Sequence, residues 1–449
     1  MAFFQSRSPS TDQPSVGGSL RQVFQFIVLP ACRLTALLAI VLITSSGCEK
    51  SAAPEFRLNS VKMLSQEKRA GEPFEDGYDA EIGTILKTTF GTPDEPEFPF
   101  FLGDEDPGHK IISIENLANS AGPVQSDRSG THGGLYREHC AHCHGITGDG
   151  AGPTASILNP YPRDFRLGYL KFKSTPLRQP PTDHDLTKIL KNGIPGTAMP
   201  SFRTLPDDEL QSLVEYVKYL TIRGQFEHFL IEQLASLDGG SLIDYSLISK
   251  SKEGEEPSED DLEEFDDQIY TILDEGLRQS IVKRWLKPKK KVTKIPDAPA
   301  AFNPEHANHD QFVAQGKDVF FSTGNCMQCH GETAYGDGQV DFDVWTKDWT
   351  AHVDPFDAST YQDFLKLGAL PPRPIRPRNL HLGVYRGGSL PSDIYLRIAN
   401  GIEGTPMPAA SALSSEEIWS IVAYLRSLPY TGANADRESR PVNDKSIAR

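Results

Sequence analysis

The pattern of apolar and polar positions along this 449-residue chain repeats once. Residues 185–220 align without a gap with residues 393–428, a constant shift of 208 positions. Each copy passes from a polar to an apolar stretch, reaches an Asn-Gly turn, crosses a loop rich in Gly and Pro, and ends in a longer apolar-periodic segment. A repeat of this kind indicates that two regions of the chain share one local fold.

The last segment of each copy has apolar residues spaced three and four apart, which predicts a helix with one buried face. These residues are Leu210, Leu213, Val214 and Val217 in the first copy, and Ile418, Ile421, Val422 and Leu425 in the second. We expect the helices to span 207–220 and 414–428. Asp207 in one, and the Ser414/Glu417 pair in the other, are residue types that cap helix N-termini.

Each copy is preceded by a C-x-x-C-H motif, at 140–144 and at 326–330. This is the attachment motif of haem c, because two cysteines on one helical turn can both form thioethers and the next histidine can bind iron. A redox dithiol or half of a zinc site is the alternative, but no second ligand pair lies within roughly 20 residues. We therefore predict two covalent haem c groups. Their thioether residues are Cys140, Cys143, Cys326 and Cys329, and their histidine ligands are His144 and His330.

The second axial ligand is sought among the five methionines. Met199 lies in N-G-I-P-G-T-A-M-P, and Met407 lies in N-G-I-E-G-T-P-M-P at the equivalent position. A thioether on a stiff loop is how a His/Met cytochrome supplies its second ligand. We predict that Met199 and Met407 bind iron, with the filling of a core gap as the alternative. Arg163 and Arg378 follow the motifs in a shared Pro-Arg step, where each either hydrogen-bonds a haem propionate or is solvated.

Both halves resemble class I cytochrome c domains, over residues 131–224 and 303–432. The resemblance implies a helix that leads into C-x-x-C-H, a loop that carries the methionine, and a C-terminal helix that crosses the first. The lead-in differs between the halves, since Tyr136 stands four residues before Cys140, whereas Phe320 and Phe321 stand six and five before Cys326. The expected fold class is mainly α: two cytochrome c-like helical domains with an N-terminal extension and a helical, charged linker.

The remaining segments carry less information. The extension, 49–130, contains a short predicted helix near 79–88 and either wraps the first domain or acts as a spacer. The linker, 225–302, begins helically near 226–237, continues into an acidic run at 253–267 and an amphipathic stretch at 269–286, and ends in basic residues that we interpret as a solvated face. The polar tail, 433–449, is expected to be disordered.

The N-terminus, 1–48, has the layout of an export signal, with arginines, an apolar run at 34–43 and small residues before Cys48. The last part resembles a bacterial lipoprotein cleavage site, although Ser45 stands where leucine is usual. Lipidation at Cys48, cleavage without lipid and an uncleaved signal anchor stay open. We expect a periplasmic protein held at the membrane by this N-terminus. The net charge of −16 argues against nucleic acid as a partner, because phosphates require a basic surface.

Two filled axial positions leave no vacancy for a substrate at either iron. We therefore expect an electron carrier, serving redox partner proteins or a membrane respiratory complex, in preference to an enzyme. The alternatives are a dihaem peroxidase, a thiosulfate-oxidising cytochrome and a haem-based sensor, in each of which one iron must open. Histidines near the motifs could displace a methionine in such proteins: His139, His142, His352 and His381.

Overall fold

The computed structural model describes residues 53–99, 110–127, 130, 132–237, 239–249, 257–338, 353–374 and 376–430. The predicted export signal with Cys48, the tail 433–449, His352 and the start of the acidic run lie outside these residues. The described residues from Pro54 onward form one compact unit.

The described part of the chain is mainly helical, as predicted. Its α-helices are α1 (Ser60–Ala70), α2 (Tyr78–Phe90), α3 (Ile114–Ser120), α4 (Leu135–His139), α5 (Ala141–His144), α6 (Asp183–Asn192), α7 (Asp207–Leu234), α8 (Glu259–Tyr270), α9 (Lys283–Trp285), α10 (His309–Phe321), α11 (Met327–His330), α12 (Gln362–Lys366), α13 (Pro391–Asn400) and α14 (Ser415–Ser427). A π-helical stretch, Thr271–Val282, joins α8 to α9. Short 3₁₀ turns lie at Ala155–Ile157, Phe165–Leu167, Pro288–Lys291, Ala300–Phe302, Ala358–Tyr361, Leu380–Leu382 and Leu428–Tyr430.

Extended structure among these residues is limited to a small hairpin and one isolated bridge. Strands β1 (Gln125–Ser126) and β2 (His132–Gly133) pair antiparallel, with Gln125 opposite Gly133. Gly91 and Pro96 form the bridge. No helix of the described ranges is long and apolar enough to cross a membrane.

The helix predicted at 414–428 is present as α14, and its predicted cap is confirmed. Ser414 accepts a hydrogen bond from the backbone of Glu417, whose carboxylate accepts in return from the backbone of Ser414. In the first half the predicted start of the helix is confirmed, but its predicted cap and its predicted end are wrong. Asp207 is the first helical residue and not the cap, which is Pro206. The helix also continues to Leu234.

The continuation of α7 past Leu220 is explained by a tertiary contact. Gly224 lies inside the helix, where it lets the backbone of Arg166 approach so closely that no side chain would fit. A glycine in this role does not end a helix. The predicted first linker helix, near 226–237, is therefore the second half of α7. The predicted boundary between residues 224 and 225 falls within this helix.

The lead-in helices differ between the halves, as the spacing of the aromatic residues indicated. In the first half α4 runs directly into Cys140, whose amide donates to the carbonyl of Tyr136 at 2.9 Å. In the second half a turn separates α10 from Cys326, whose amide donates to the carbonyl of Phe320 at 3.0 Å. α10 crosses α14 at Gly316, which lies against the carbonyl oxygen of Ser420. This extra turn accounts for the longer spacing between the aromatic residues of α10 and Cys326.

The first half shares its hydrophobic core with the extension and the linker. Buried residues of α2, such as Ile82 and Phe90, pack in one cluster with Leu213 and Tyr216 of α7 and with Leu277 of the linker. The helix predicted near 79–88 is thus present as α2, and the extension wraps the first half. The second half has a separate, smaller core formed mainly by α10, α13 and α14.

Candidate functional site

Each C-x-x-C-H motif forms a single tight turn that the next loop closes. The amide of His144 donates to the carbonyl of Cys140, and the amide of His330 donates to the carbonyl of Cys326, both at 2.9 Å. The loop then returns, since the amides of Gly150 and Gly336 donate to the carbonyls of the two histidines, again at 2.9 Å. The two motifs therefore have the same backbone geometry.

No disulfide joins the four motif cysteines, all of which lie in the described ranges. Burial raises the pKa of Cys140 to about 12 and that of Cys326 to about 11. A zinc site or a reactive dithiol needs thiolates, which burial in apolar surroundings disfavours. A thioether sulfur carries no charge and tolerates the same surroundings. The buried cysteines therefore fit covalent haem attachment better than either alternative.

Burial lowers the pKa of both motif histidines, so each imidazole is neutral and keeps a lone pair for a metal. Nδ1 of His144 lies 3.0 Å from the carbonyl oxygen of Arg163. A carbonyl can only accept, so Nδ1 carries the proton and Nε2 is left to bind iron. Nδ1 of His330 is buried without a well-formed hydrogen bond, although the equivalent carbonyl of Arg378 partly offsets the lowering of its pKa.

The two methionine loops are held by the same set of hydrogen bonds. The amide of Ile194 donates to the carbonyl of Met199 at 3.2 Å, and the amide of Ile402 donates to that of Met407 at 3.1 Å. In each loop a threonine hydroxyl accepts from the methionine amide, at 3.2 Å for Met199 and at 3.3 Å for Met407.

A glycine at the start of each loop is required by its close contact with the loop's end. Gly193 and Gly401 have φ of 64° and 69°, which disfavours other residues. An added Cβ would lie 2.6 Å from the carbonyl carbon of Pro200 in the first loop, and 2.6 Å from that of Pro408 in the second. The loops predicted from the repeat therefore have matching shapes.

The predicted site residues are divided between the two hydrophobic cores, one set in each half. Cys140 is part of the first core and Met199 packs against it, while Cys326 and Met407 pack against the second core. The aromatic residues at equal repeat positions also match. Tyr216 packs on Tyr136 with ring centroids 4.9 Å apart, and Tyr424 packs on Phe320 at 5.5 Å. Iron ligation by the two methionines stays a prediction.

Four cations follow the motifs at matching places, of which we predicted two. Arg163 and Arg378 are the predicted pair, and both are half-buried and not fully solvated. Lys171 and Arg386 were missed. A second alignment would have found them, because residues 162–171 match residues 377–386 with a shift of 215, including the Gly168/Gly383 turn after each 3₁₀ helix.

The family model that matches this chain describes cytochrome c oxidase, cbb3-type, subunit III. It matches residues 131–217 and 311–425, less than half of the chain. Each stretch contains one C-x-x-C-H motif and one methionine loop. The match supports a c-type cytochrome. The fold is accordingly that of two cytochrome c-like helical domains, and such domains imply covalent haem c and electron transfer.

One solved structure is similar to this chain, a chain of a reducing HAO-like protein complex from Kuenenia stuttgartiensis. It is 24% identical, and the similarity covers 68% of this chain and 98% of that chain with a TM-score of 0.37. No curated protein matches this chain.

Proposed function

We propose that this protein is an exported dihaem cytochrome c that carries electrons between redox partner proteins through two His/Met-ligated haems. The observation that supports the proposal is that both halves contain the same arrangement of turn and loop. Each half joins a C-x-x-C-H turn closed by a glycine amide to a methionine loop held by a threonine hydroxyl. Two structural methionines in core gaps would not require identical loops.

The proposal assigns each residue a role. Cys140 and Cys143 hold one haem and Cys326 and Cys329 the other, with His144 and Met199, and His330 and Met407, as axial ligands. Bound haem supplies a one-electron iron couple. Each neutral imidazole can bind iron through Nε2 without first losing a proton, and thioether ligation raises the reduction potential above that of a second histidine.

An electron carrier fits the surroundings of the site better than a peroxidase or a sensor does. In those proteins one iron must open, and a nearby histidine would be the natural substitute ligand. His142 is exposed, and Nε2 of His381 lies 2.7 Å from the carbonyl oxygen of Thr333 with its ring stacked on Tyr335. These two side chains are engaged elsewhere or face solvent, which supports stable methionine ligation, whereas Nε2 of the third described histidine, His139, is buried without a hydrogen-bond partner.

Localisation in the periplasm, with an anchor at Cys48, is part of the proposal and is supported by the N-terminal sequence pattern. The partners are then redox proteins or a membrane respiratory complex. Cell fractionation of a Cys48→Ser variant tests the anchor. Release from the membrane fraction is expected, and unchanged retention would contradict a lipid at this cysteine.

The ligand assignment is tested by replacing each methionine with histidine, since imidazole also binds iron. The oxidised protein should show the long-wavelength absorption band of Met-ligated iron. Met199→His and Met407→His should each remove about half of this band, and the double variant should remove it all. The reduced wild-type protein should barely bind carbon monoxide. An unchanged band in both single variants, or ready carbon monoxide binding, would overturn His/Met ligation.

A further inference from the structure

The two halves contact each other through the segments that carry the proposed haem sites. Lys173 of the first half forms a buried ion pair, 2.8 Å long, with Glu403 in the second methionine loop. The same carboxylate accepts from the amide of Arg178 at 2.6 Å. Asn400, at the end of α13, donates to the carbonyl of Ser174 at 3.2 Å. The second methionine loop is therefore anchored on the first half.

The arginines of the Pro-Arg steps cross this interface in both directions. A Cβ added at Gly196, in the first methionine loop, would lie 2.9 Å from Nη2 of Arg378 of the second half. A Cβ added at Gly404, in the second loop, would lie 3.4 Å from Nη1 of Arg163 of the first half. Gly196 and Gly404 are equivalent positions of the repeat. Each half thus extends an arginine to the methionine loop of the other.

Lys171 and Arg386 join these arginines in one cluster, which we call the interface cations: Arg163, Lys171, Arg378 and Arg386. Burial, together with the charges of Arg163 and Arg386, lowers the pKa of Lys171 to about 7. Burial also lowers the pKa of Arg386, with a contribution from Arg378. Charge repulsion thus links Lys171 with Arg163 and Arg386, and Arg386 with Arg378.

Within the described ranges no carboxylate forms an ion pair with any interface cation. The carboxylates of Asp164 and Glu403 act on Arg163 but are already paired, Asp164 with Arg166 at 2.9 Å and Glu403 with Lys173. The Nε atoms of Arg378 and Arg386 are buried without a hydrogen-bond partner. Buried charges and unpaired donors are costly, so a cluster like this one requires anions.

Haem carries two carboxylate groups, so the two haems of the proposed function would bring four carboxylates to four cations. We propose that the interface cations form one shared site for the carboxylates of both haems, through which each half sets the reduction potential of the other. The inference depends on the proposed function, since it requires one haem in each half. Arginine is suited to this role because its planar guanidinium binds carboxylates through two parallel hydrogen bonds.

The sign of the effect follows from electrostatics. A positive charge near a haem disfavours the oxidised iron, which carries one positive charge more than the reduced iron, and so raises the reduction potential. Removal of an interface arginine should lower the potential. Because Arg378 lies against the first methionine loop, its removal should affect the first half at least as much as the second.

The test is a spectroelectrochemical titration of Arg378→Gln in the full-length, haem-loaded protein. The variant is made in a Met407→His background, which lowers the reduction potential of the haem in the second half. The two waves of the titration can then be assigned to the two halves. We expect the wave of the first half to shift down by at least a tenfold change in its reduction equilibrium constant, which is about 59 mV. Arg163→Gln in a Met199→His background should shift the second half likewise. Arg378→Lys, which keeps the charge, should retain most of the potential.

Arg373→Gln is the matched control. Arg373 also crosses the interface, where it donates to the carbonyl of Ser156 at 2.7 Å and covers Tyr161, but it is not one of the interface cations. An equal shift in this control, or a shift of the second half alone in Arg378→Gln, would overturn the inference. Reduction potentials that differ between phosphate and a non-coordinating buffer would also overturn the inference, because the site would then bind free anions.

Haem counting separates this inference from the proposed function. Two haems per polypeptide in the wild type and in each arginine variant, without any cross-interface shift, would overturn the shared site and leave the dihaem carrier intact. Fewer than two haems in the wild type would overturn the carrier itself.

Discussion

The two halves of the molecule contain the same site in different surroundings. Cys140 is buried in a core that includes the extension and the linker, whereas Cys326 lies half-buried at the edge of a smaller core. Nδ1 of His144 has a hydrogen-bonded carbonyl, and Nδ1 of His330 lacks one of good geometry. The turn and the methionine loop are nevertheless alike. The local site is therefore specified by its own short segments, while the surrounding helices determine how well it is shielded and stabilised.

The methionine loops show a second difference of this kind. Glu403 anchors the second loop on the first half, whereas Pro195 occupies the equivalent position of the first loop and can form no such pair. The first half is stabilised mainly from within its enlarged core. The second half depends more on its contact with the first.

The largest effect is expected from Phe90→Ala in the extension. Phe90 is fully buried and its ring contacts Tyr219 and Phe226 of α7. Its truncation should cost about 3–5 kcal/mol, as for other large aromatic residues in cores. Hydrogen exchange read by mass spectrometry should become faster in α7 and stay unchanged in α14. Phe312→Ala, in the second core, is the control and should give the reverse pattern. Equal acceleration in both helices would show that the halves do not have independent cores.

A smaller but substantial effect is expected from Glu403→Gln. The change leaves Lys173 buried without its partner, and breaking a buried pair in this way costs about 3 kcal/mol. Denaturant unfolding should show the loss, and the Met-iron absorption of the second half should weaken before that of the first. Lys173→Met combined with Glu403→Gln should recover part of the stability.

The exposed pair Lys191–Asp207 provides the matched control, because Lys191→Met should change the stability by less than about 1 kcal/mol. A loss in Glu403→Gln no larger than in this control would contradict the anchoring of the second loop on the first half.

How much of this organisation could be predicted from the sequence differs between the site and the fold around it. The C-x-x-C-H turns and the loops with Met199 and Met407 were predictable, because their shape depends on residues close in sequence. The continuation of α7 to Leu234 was not predictable, since Gly224 stays helical in contact with Arg166, a residue distant in sequence. The packing of α2 on the first half depends likewise on tertiary contacts. The sequence pattern of α2 predicts a helix but not the element against which it packs.

The smallest effect is expected from the contact of a histidine with two glutamates in the first half. His132 lies between Glu138 and Glu209, at 2.7 Å and 3.3 Å, and these hydrogen bonds raise its pKa in the folded state. The stabilisation is then complete below the unfolded pKa near 6.5 and is lost as the pH rises through the higher folded pKa. For this partly exposed group it should reach at most about 1 kcal/mol.

Urea midpoints of the wild type and His132→Gln measure this contact. The difference between the two proteins should be largest near pH 5.5 and smaller near pH 8.5, because the charge of His132 is lost as the pH rises through its raised pKa. A difference that is the same at both pH values would mean that packing, and not the charge of His132, stabilises this part of the first half.

The direct test of two covalently held haems, one in each half, is a pyridine haemochrome count on the purified protein and on variants that replace both cysteines of a motif with alanine. We predict two haems per polypeptide in the wild type, one when Cys140 and Cys143 are replaced, one when Cys326 and Cys329 are replaced, and none when all four are. A wild-type count below two, or a haem that persists after its motif is removed, would contradict the assignment.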